Sequence, residues 1–174
     1  MNEYEFILKF ALPDPAQDPG ILVAQLTESG CDDALLGIGR KGRIALDFTR
    51  TAASAIEAVT SAIADTMRAI PGARLVEAVP DVVGLTDIAE LAGCSRQNAR
   101  KIMLGGQAFP LAVHDGNPEL FHLADVLAWL RDARAYDIDA KLFDVAQTNR
   151  QVNLARQLRE LPQGQISREI LVAV

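Results

Sequence analysis

The sequence predicts an α+β protein: a βαββαβ unit, then a compact helix-turn-helix segment, then a long C-terminal helix. Three observations predict it. Tyr4 to Leu12 (YEFILKFAL) and Arg43 to Thr49 (RIALDFT) set large apolar residues in strand-like patterns. Between the strand-like stretches, apolar residues recur at helical spacing. Gly84 to Met103 (GLTDIAELAGCSRQNARKIM) reads as two short helices on either side of a glycine. The chain has 174 residues and is 49% apolar, which suffices for a core and is unlike a disordered segment.

The first strand ends in a loop broken by Pro13, Pro15 and Pro19. Gly20 to Ser29 forms a helix that stops at Gly30. Asp33 to Ile38 is a second strand, with Asp32 and Asp33 in a solvated turn at its start. Gly39-Arg40-Lys41-Gly42 turns the chain into the third strand, Arg43 to Thr49. Thr51 is expected to cap an Ala-rich helix that runs to about Ile70 and stops at Pro71-Gly72. Ala73 to Val79 is the fourth strand. This order is the split βαβ, or ferredoxin-like, unit, assigned to residues 1–80. Right-handed crossovers place both helices on one face of an antiparallel sheet and leave the other face for a partner, a ligand or a second copy. Gly37 to Gly42 formally spells GxGxxG. A dinucleotide site needs a helix directly after those glycines, and a strand follows instead. The stretch is therefore read as a hairpin turn. Its alternative role is a basic contact to nucleic acid or an acidic partner through Arg40, Lys41 and Arg43.

In the next unit Thr86 is expected to cap the first helix, and Ile88, Leu91 and Ala92 face inward. Gly93 can take the left-handed conformation that ends it. Ser95 caps the second helix, on which Ala99, Ile102 and Met103 face inward. Arg96, Gln97, Arg100 and Lys101 group on the opposite side. Ala89 and Ala99 are small where two crossing helices approach. Phe109 to His122 reads as a hairpin: FPLAV, the turn HDGNP, then ELFHL. A helix follows, ADVLAWLRD, with Trp129 as a core anchor.

The order helix, turn, helix, hairpin wing, helix ending in AWL resembles the winged helix-turn-helix of excisionases, AlpA-like regulators and the MerR superfamily. The resemblance covers Val82 to about Arg134, and the domain is assigned to residues 81–134. It implies sequence-specific binding of double-stranded DNA, with the second helix in the major groove. Arg96, Gln97, Arg100 and Lys101 would reach bases and phosphates. Ser95 and Asn98 would support the helix start and a backbone phosphate. The wing carries no Arg or Lys; its candidate contacts are His114, Asn117 and His122, of which His114 and Asn117 are the expected ones.

Residues 135–174 hold a long helix, Asp137 to Leu161, closed by Pro162. Ile138, Leu142, Val145 and Val152 make one apolar stripe; Leu154, Leu158 and Leu161 make another. Dimerisation and packing back onto the same chain are both open. The tail, Ile166 to Val174, ends in ILVAV and is expected to be tied down as an added strand or against a partner.

Charge and composition narrow the function. The net charge of −6 argues against indiscriminate nucleic-acid binding. Positive charge is local: Ser95 to Gln107 holds Arg96, Arg100 and Lys101 and no acid. A single head would bind weakly, so a homodimer reading paired half-sites is expected. No apolar stretch is free enough of charge to span a membrane, and the acidic N-terminus lacks a secretory pattern. Cys31 and Cys94 have no CxxC spacing and are read as reduced and buried, in a cytoplasmic protein. His114, His122 and Asp115 are metal-ligand types, but zinc sites take three or four ligands including Cys or further His. No catalytic set, cofactor or metal is expected. The reading is a bacterial transcriptional regulator, not an enzyme, whose N-terminal unit senses an effector, dimerises or binds a partner. The alternative is a protein-interaction or sensing module whose winged domain no longer binds DNA.

Overall fold

The computed structural model describes residues 1–105, 108–162 and 166–173. The N-terminal unit runs β1 (Asn2–Ala11), α1 (Pro19–Glu28), β2 (Ala34–Ile38), β3 (Arg43–Ala52), α2 (Ala55–Ala69) and β4 (Arg74–Val79). The sheet order is β2-β3-β1-β4, all antiparallel. The strand alternation is period two, so Tyr4, Phe6, Leu8 and Phe10 share one face with Ile44, Leu46 and Phe48. Leu22 and Leu26 of α1, and Ala58, Val59 and Ala62 of α2, pack on that face. The alanines of α2 let its backbone lie close over the large strand side chains. Phe6 stacks on Phe48 with centroids 5.3 Å apart. The opposite face carries exposed Glu5, Lys9, Asp47 and Thr49. Lys9 there pairs with Glu77 at 2.7 Å. The edge strand β2 leaves Leu35 76% exposed.

Two local expectations change. Thr51 does not cap α2: β3 continues through it, pairing Thr51 with Glu3. Ser54 is the cap, its Oγ accepting the Glu57 N–H at 3.2 Å. Asp33 sits in the expected turn but is half-buried and paired instead of freely solvated. Arg50 is buried and donates to both Asp33 oxygens (2.7 and 2.9 Å), to Asp65 (2.8 Å), to Ser61 (3.1 Å) and to the Gly30 carbonyl (2.8 Å). Burial works against the Arg50 charge, but the hydrogen bonds it donates to Asp33 and Asp65 outweigh it and raise its proton affinity above the ordinary arginine value.

The second unit comprises β5 (Val82–Val83), α3 (Leu85–Leu91), α4 (Arg96–Leu104), β6 (Phe121–His122) and α5 (Leu123–Arg134). Its core gathers Ile88, Phe121, Leu127, Trp129 and Leu130. Trp129 meets Phe109 edge to face at 4.9 Å, and Phe109 meets Phe121 at 5.0 Å. α6 (Ala140–Glu160) then lies against both units. Val145 belongs to the core of the first, and its neighbour Ala146 to that of the second. Adjacent helix residues point about 100° apart, so one helix can serve two cores.

The junction is polar. Asn153 of α6 accepts the Ala78 N–H and donates to the Ala78 carbonyl, both at 2.8 Å. It thereby occupies the outer edge of β4 as a neighbouring strand would. The same amide donates to Asp81 at 2.8 Å. Asp81, 4% exposed, also meets His122 Nδ1 at 2.8 Å, and its carbonyl accepts the Leu123 N–H. Asn149 donates to the Pro80 carbonyl at 3.1 Å. The described part of the tail, residues 166–173, is not an added strand: it forms α7 (Arg168–Ala173), which buries no residue; Val174 lies outside the described residues. Among the described residues no helix is long and apolar enough to cross a membrane.

Candidate nucleic-acid interface

α3 begins one residue before the expected cap. Gly84 is the N-cap, and its N–H donates to Asp87 Oδ2 at 2.8 Å; Thr86 sits exposed within the first turn. Ile88 and Ala89 are buried beneath α3. The turn closes with the Cys94 N–H donating to the Ala89 carbonyl at 2.9 Å. Gly93 has φ +59, and nothing crowds the space a Cβ would fill. Glycine is favoured there for backbone conformation, not for room.

Ser95 caps α4 as its sequence position predicts, its Oγ accepting the Asn98 N–H at 3.2 Å. Ala99 is buried, and Ile102 and Met103 pack half-buried on the core. Arg96, Gln97, Asn98, Arg100 and Lys101 are exposed. None of the three cations is in an ion pair among the described residues, and α4 has no acidic residue. Arg134, which sequence reasoning did not single out, clasps the far end of this helix. It donates to the Ile102 carbonyl at 2.8 Å and to the Gly105 carbonyl, and lies 5.0 Å over the Trp129 ring. A cation at a helix C-terminus complements the exposed carbonyls and the helix dipole. No local sequence signal finds it, because its partners lie about thirty residues upstream.

The wing differs from the expected hairpin. Phe109 to Ala112 forms no strand; Phe109 turns into the core and Leu111 is 92% exposed. Only a bridge between His114 and Leu120 remains, with the Leu120 N–H donating to the His114 carbonyl at 3.0 Å. β6 pairs instead with β5, Val82 opposite His122 and Val83 opposite Phe121. The physical reason is the aromatic cluster: Phe109 is worth more buried against Phe121 and Trp129 than held in a strand. The two histidines therefore do not face each other. His114 is exposed, with its ring folded over Gly116, where any side chain would collide with it. His122 is taken up by Asp81. Among the described residues no group of three or more His, Cys, Asp or Glu is arranged to hold a metal.

Between α4 and the 115–120 loop lies an open groove of about 690 Å³. Arg96 and Arg100, one turn apart, line one side, and Asn117 lines the other. Asp87, Asp115 and Glu119 also line it, so it carries three carboxylates against two guanidinium groups. Arg96, Arg100 and Asn117 are thus brought together. Gln97 and Lys101 do not line the groove, Ser95 Oγ and the Asn98 backbone N–H are engaged in the helix cap, and His114, bridged to Leu120 at the base of the loop, is outside the groove lining. Sequence reading singles out neither Asp87 nor Glu119 and weighs Asp115 only as a metal ligand; their convergence needs the loop to fold back against the helices. No family model, curated protein or solved structure matches the chain.

Proposed function

We propose that the chain binds double-stranded DNA in a sequence-specific way, as a cytoplasmic bacterial transcriptional regulator reading the major groove with α4. In this reading residues 81–134 are a winged helix-turn-helix of the excisionase, AlpA-like and MerR type. The preceding unit is a ferredoxin-like domain that senses, dimerises or binds a partner. The observation that carries the proposal is the division of α4. One face anchors it through Ala99, Ile102 and Met103; the other presents Arg96, Gln97, Arg100 and Lys101, none of its cations in an ion pair among the described residues. An Arg or Gln paired in two-pronged fashion with a base edge contributes about 1–3 kcal/mol of discrimination.

The acidic lining of the groove favours a second reading, a winged unit that docks a protein instead of DNA. Selection of bound duplexes from a random pool at two salt concentrations separates them. DNA binding predicts an enriched, two-fold symmetric motif whose affinity falls steeply with salt. Arg96→Ala with Arg100→Ala should then weaken binding by at least about 30-fold. No enrichment at low salt rejects the DNA reading.

A further inference from the structure

The four-stranded sheet has two edges, and the fold closes only one. Asn153 occupies the outer side of β4 at Ala78. β2, at the opposite edge, pairs with β3 alone. The Thr49 N–H donates to the Asp33 carbonyl at 3.1 Å. In an antiparallel pair such bonds fall on every second residue. Leu35 and Gly37 therefore turn their backbone groups toward β3, and Leu36 and Ile38 turn theirs outward. Among the described residues no hydrogen bond reaches those outward groups. Edge strands are usually blunted by a charge, a proline or a bulge. β2 (ALLGI) has neither charge nor proline, and its register with β3 runs unbroken from Ala34 to Ile38. Leu35 and Ile38 are exposed, on opposite faces of the strand.

Charge says what this edge would take. Arg40, Lys41 and Arg43 follow β2 in the turn; all are exposed, and none is in an ion pair among the described residues. Two cavities, of about 560 and 310 Å³, share Ile38, Arg40 and Arg43 in their walls, and no Asp or Glu lines either. In a chain of net charge −6, this turn is a local seat for an acidic group. A second copy matches it poorly. Pairing β2 with another β2 about a two-fold axis would bring only Asp32 to each basic turn, because Arg50 already holds both oxygens of Asp33. Nucleic acid matches it poorly too. Tyr4, Phe6, Phe10 and Phe48, the aromatic residues of the strands, are buried, so no ring is offered to a base. The open face also exposes Glu5 and Asp47, which would repel a phosphate chain.

We infer that β2 accepts an extended segment of another protein as an added strand, with apolar side chains beside Leu35 and Ile38 and acidic residues at the end that meets Arg40 and Lys41. This takes up the partner-binding role of the N-terminal unit and rests on nothing about α4. The assay holds no DNA, so its failure leaves the DNA-binding reading standing. Random peptides displayed on phage are selected on the full chain, and the enriched peptide is synthesised with a fluorescent label. It should combine alternating apolar residues with a run of Asp or Glu at one end. Methylating alternate backbone nitrogens of the peptide removes donors and keeps its charges. One of the two alternate sets, the one facing β2, should weaken binding at least about tenfold and the other far less. Arg40→Glu with Lys41→Glu, at exposed positions, should also weaken it at least about tenfold with an unchanged circular dichroism spectrum. No enriched acidic peptide overturns the inference. So does binding that is indifferent to the charge substitutions, or that responds equally to both sets of methylations. A chain whose self-association the selected peptide cannot displace would put a second copy on the edge and overturns it as well.

Discussion

Asn153→Ala tests what holds the two units to one another. Asn153 is 5% exposed and makes three hydrogen bonds, two to the Ala78 backbone and one to the Asp81 carboxylate. Each neutral bond contributes about 1 kcal/mol, and the bond to the buried carboxylate about 2. Truncation also strands the Ala78 groups at the covered edge of β4, where water reaches them poorly. The loss should therefore be about 3–4 kcal/mol, a fall in Tm of about 10 °C for a chain of this length. Urea unfolding followed by circular dichroism measures it. Gln151→Ala, on the exposed side of the same helix, is the control and should stay within about 0.5 kcal/mol. In a double-mutant cycle with Asp81→Ala the two changes should be non-additive by at least about 1 kcal/mol, since they share a bond. A loss below about 1 kcal/mol for Asn153→Ala would refute the reasoning, because the polar junction would then be incidental to the packing of Val145 and Ala146.

Other expectations are as direct. Arg50→Met should cost about 3 kcal/mol, near the low end for breaking a buried ion pair because Asp33 and Asp65 keep some access to water. A cation whose pKa is raised on folding contributes stability at every pH below its unfolded pKa and loses it only as pH rises through the folded value. The gap between wild type and Arg50→Met should therefore stay level from neutral pH to about pH 11, as chemical denaturation would show. Asp115→Asn with Glu119→Gln removes two carboxylates from the groove that holds Arg96 and Arg100. Affinity for the selected duplex should rise about tenfold at low salt and converge with wild type at high salt; no gain would argue that DNA does not enter the groove. Iodoacetamide should label half-buried Cys94 well before Cys31, whose thiol is buried and pushed up in pKa mainly by that burial; equal rates would contradict the packing of Cys31 beside Thr66.

The sequence by itself determined the element order of the N-terminal unit and the helix pair α3 and α4, because alternation in YEFILKFAL and RIALDFT and the helical spacing of α2 and α4 are local periodicities. It also determined the Ser95 cap, the left-handed Gly93 and the outward face of α4, each set by the chemistry of one or two neighbouring residues. Tertiary structure decided the rest. Phe109 looked like a strand residue until an aromatic pocket from β6 and α5 claimed it. Asp33 looked solvated until Arg50, on the neighbouring strand, turned its fork on it. Asn153 reads as an ordinary polar position in a helix, yet it closes the edge of a strand 75 residues away. The two stripes of α6 were both visible as apolar residues, but only the finished fold separates the covered one from the exposed one. Burial and long-range polar pairing depend on which segments meet, and one-dimensional spacing carries no record of that.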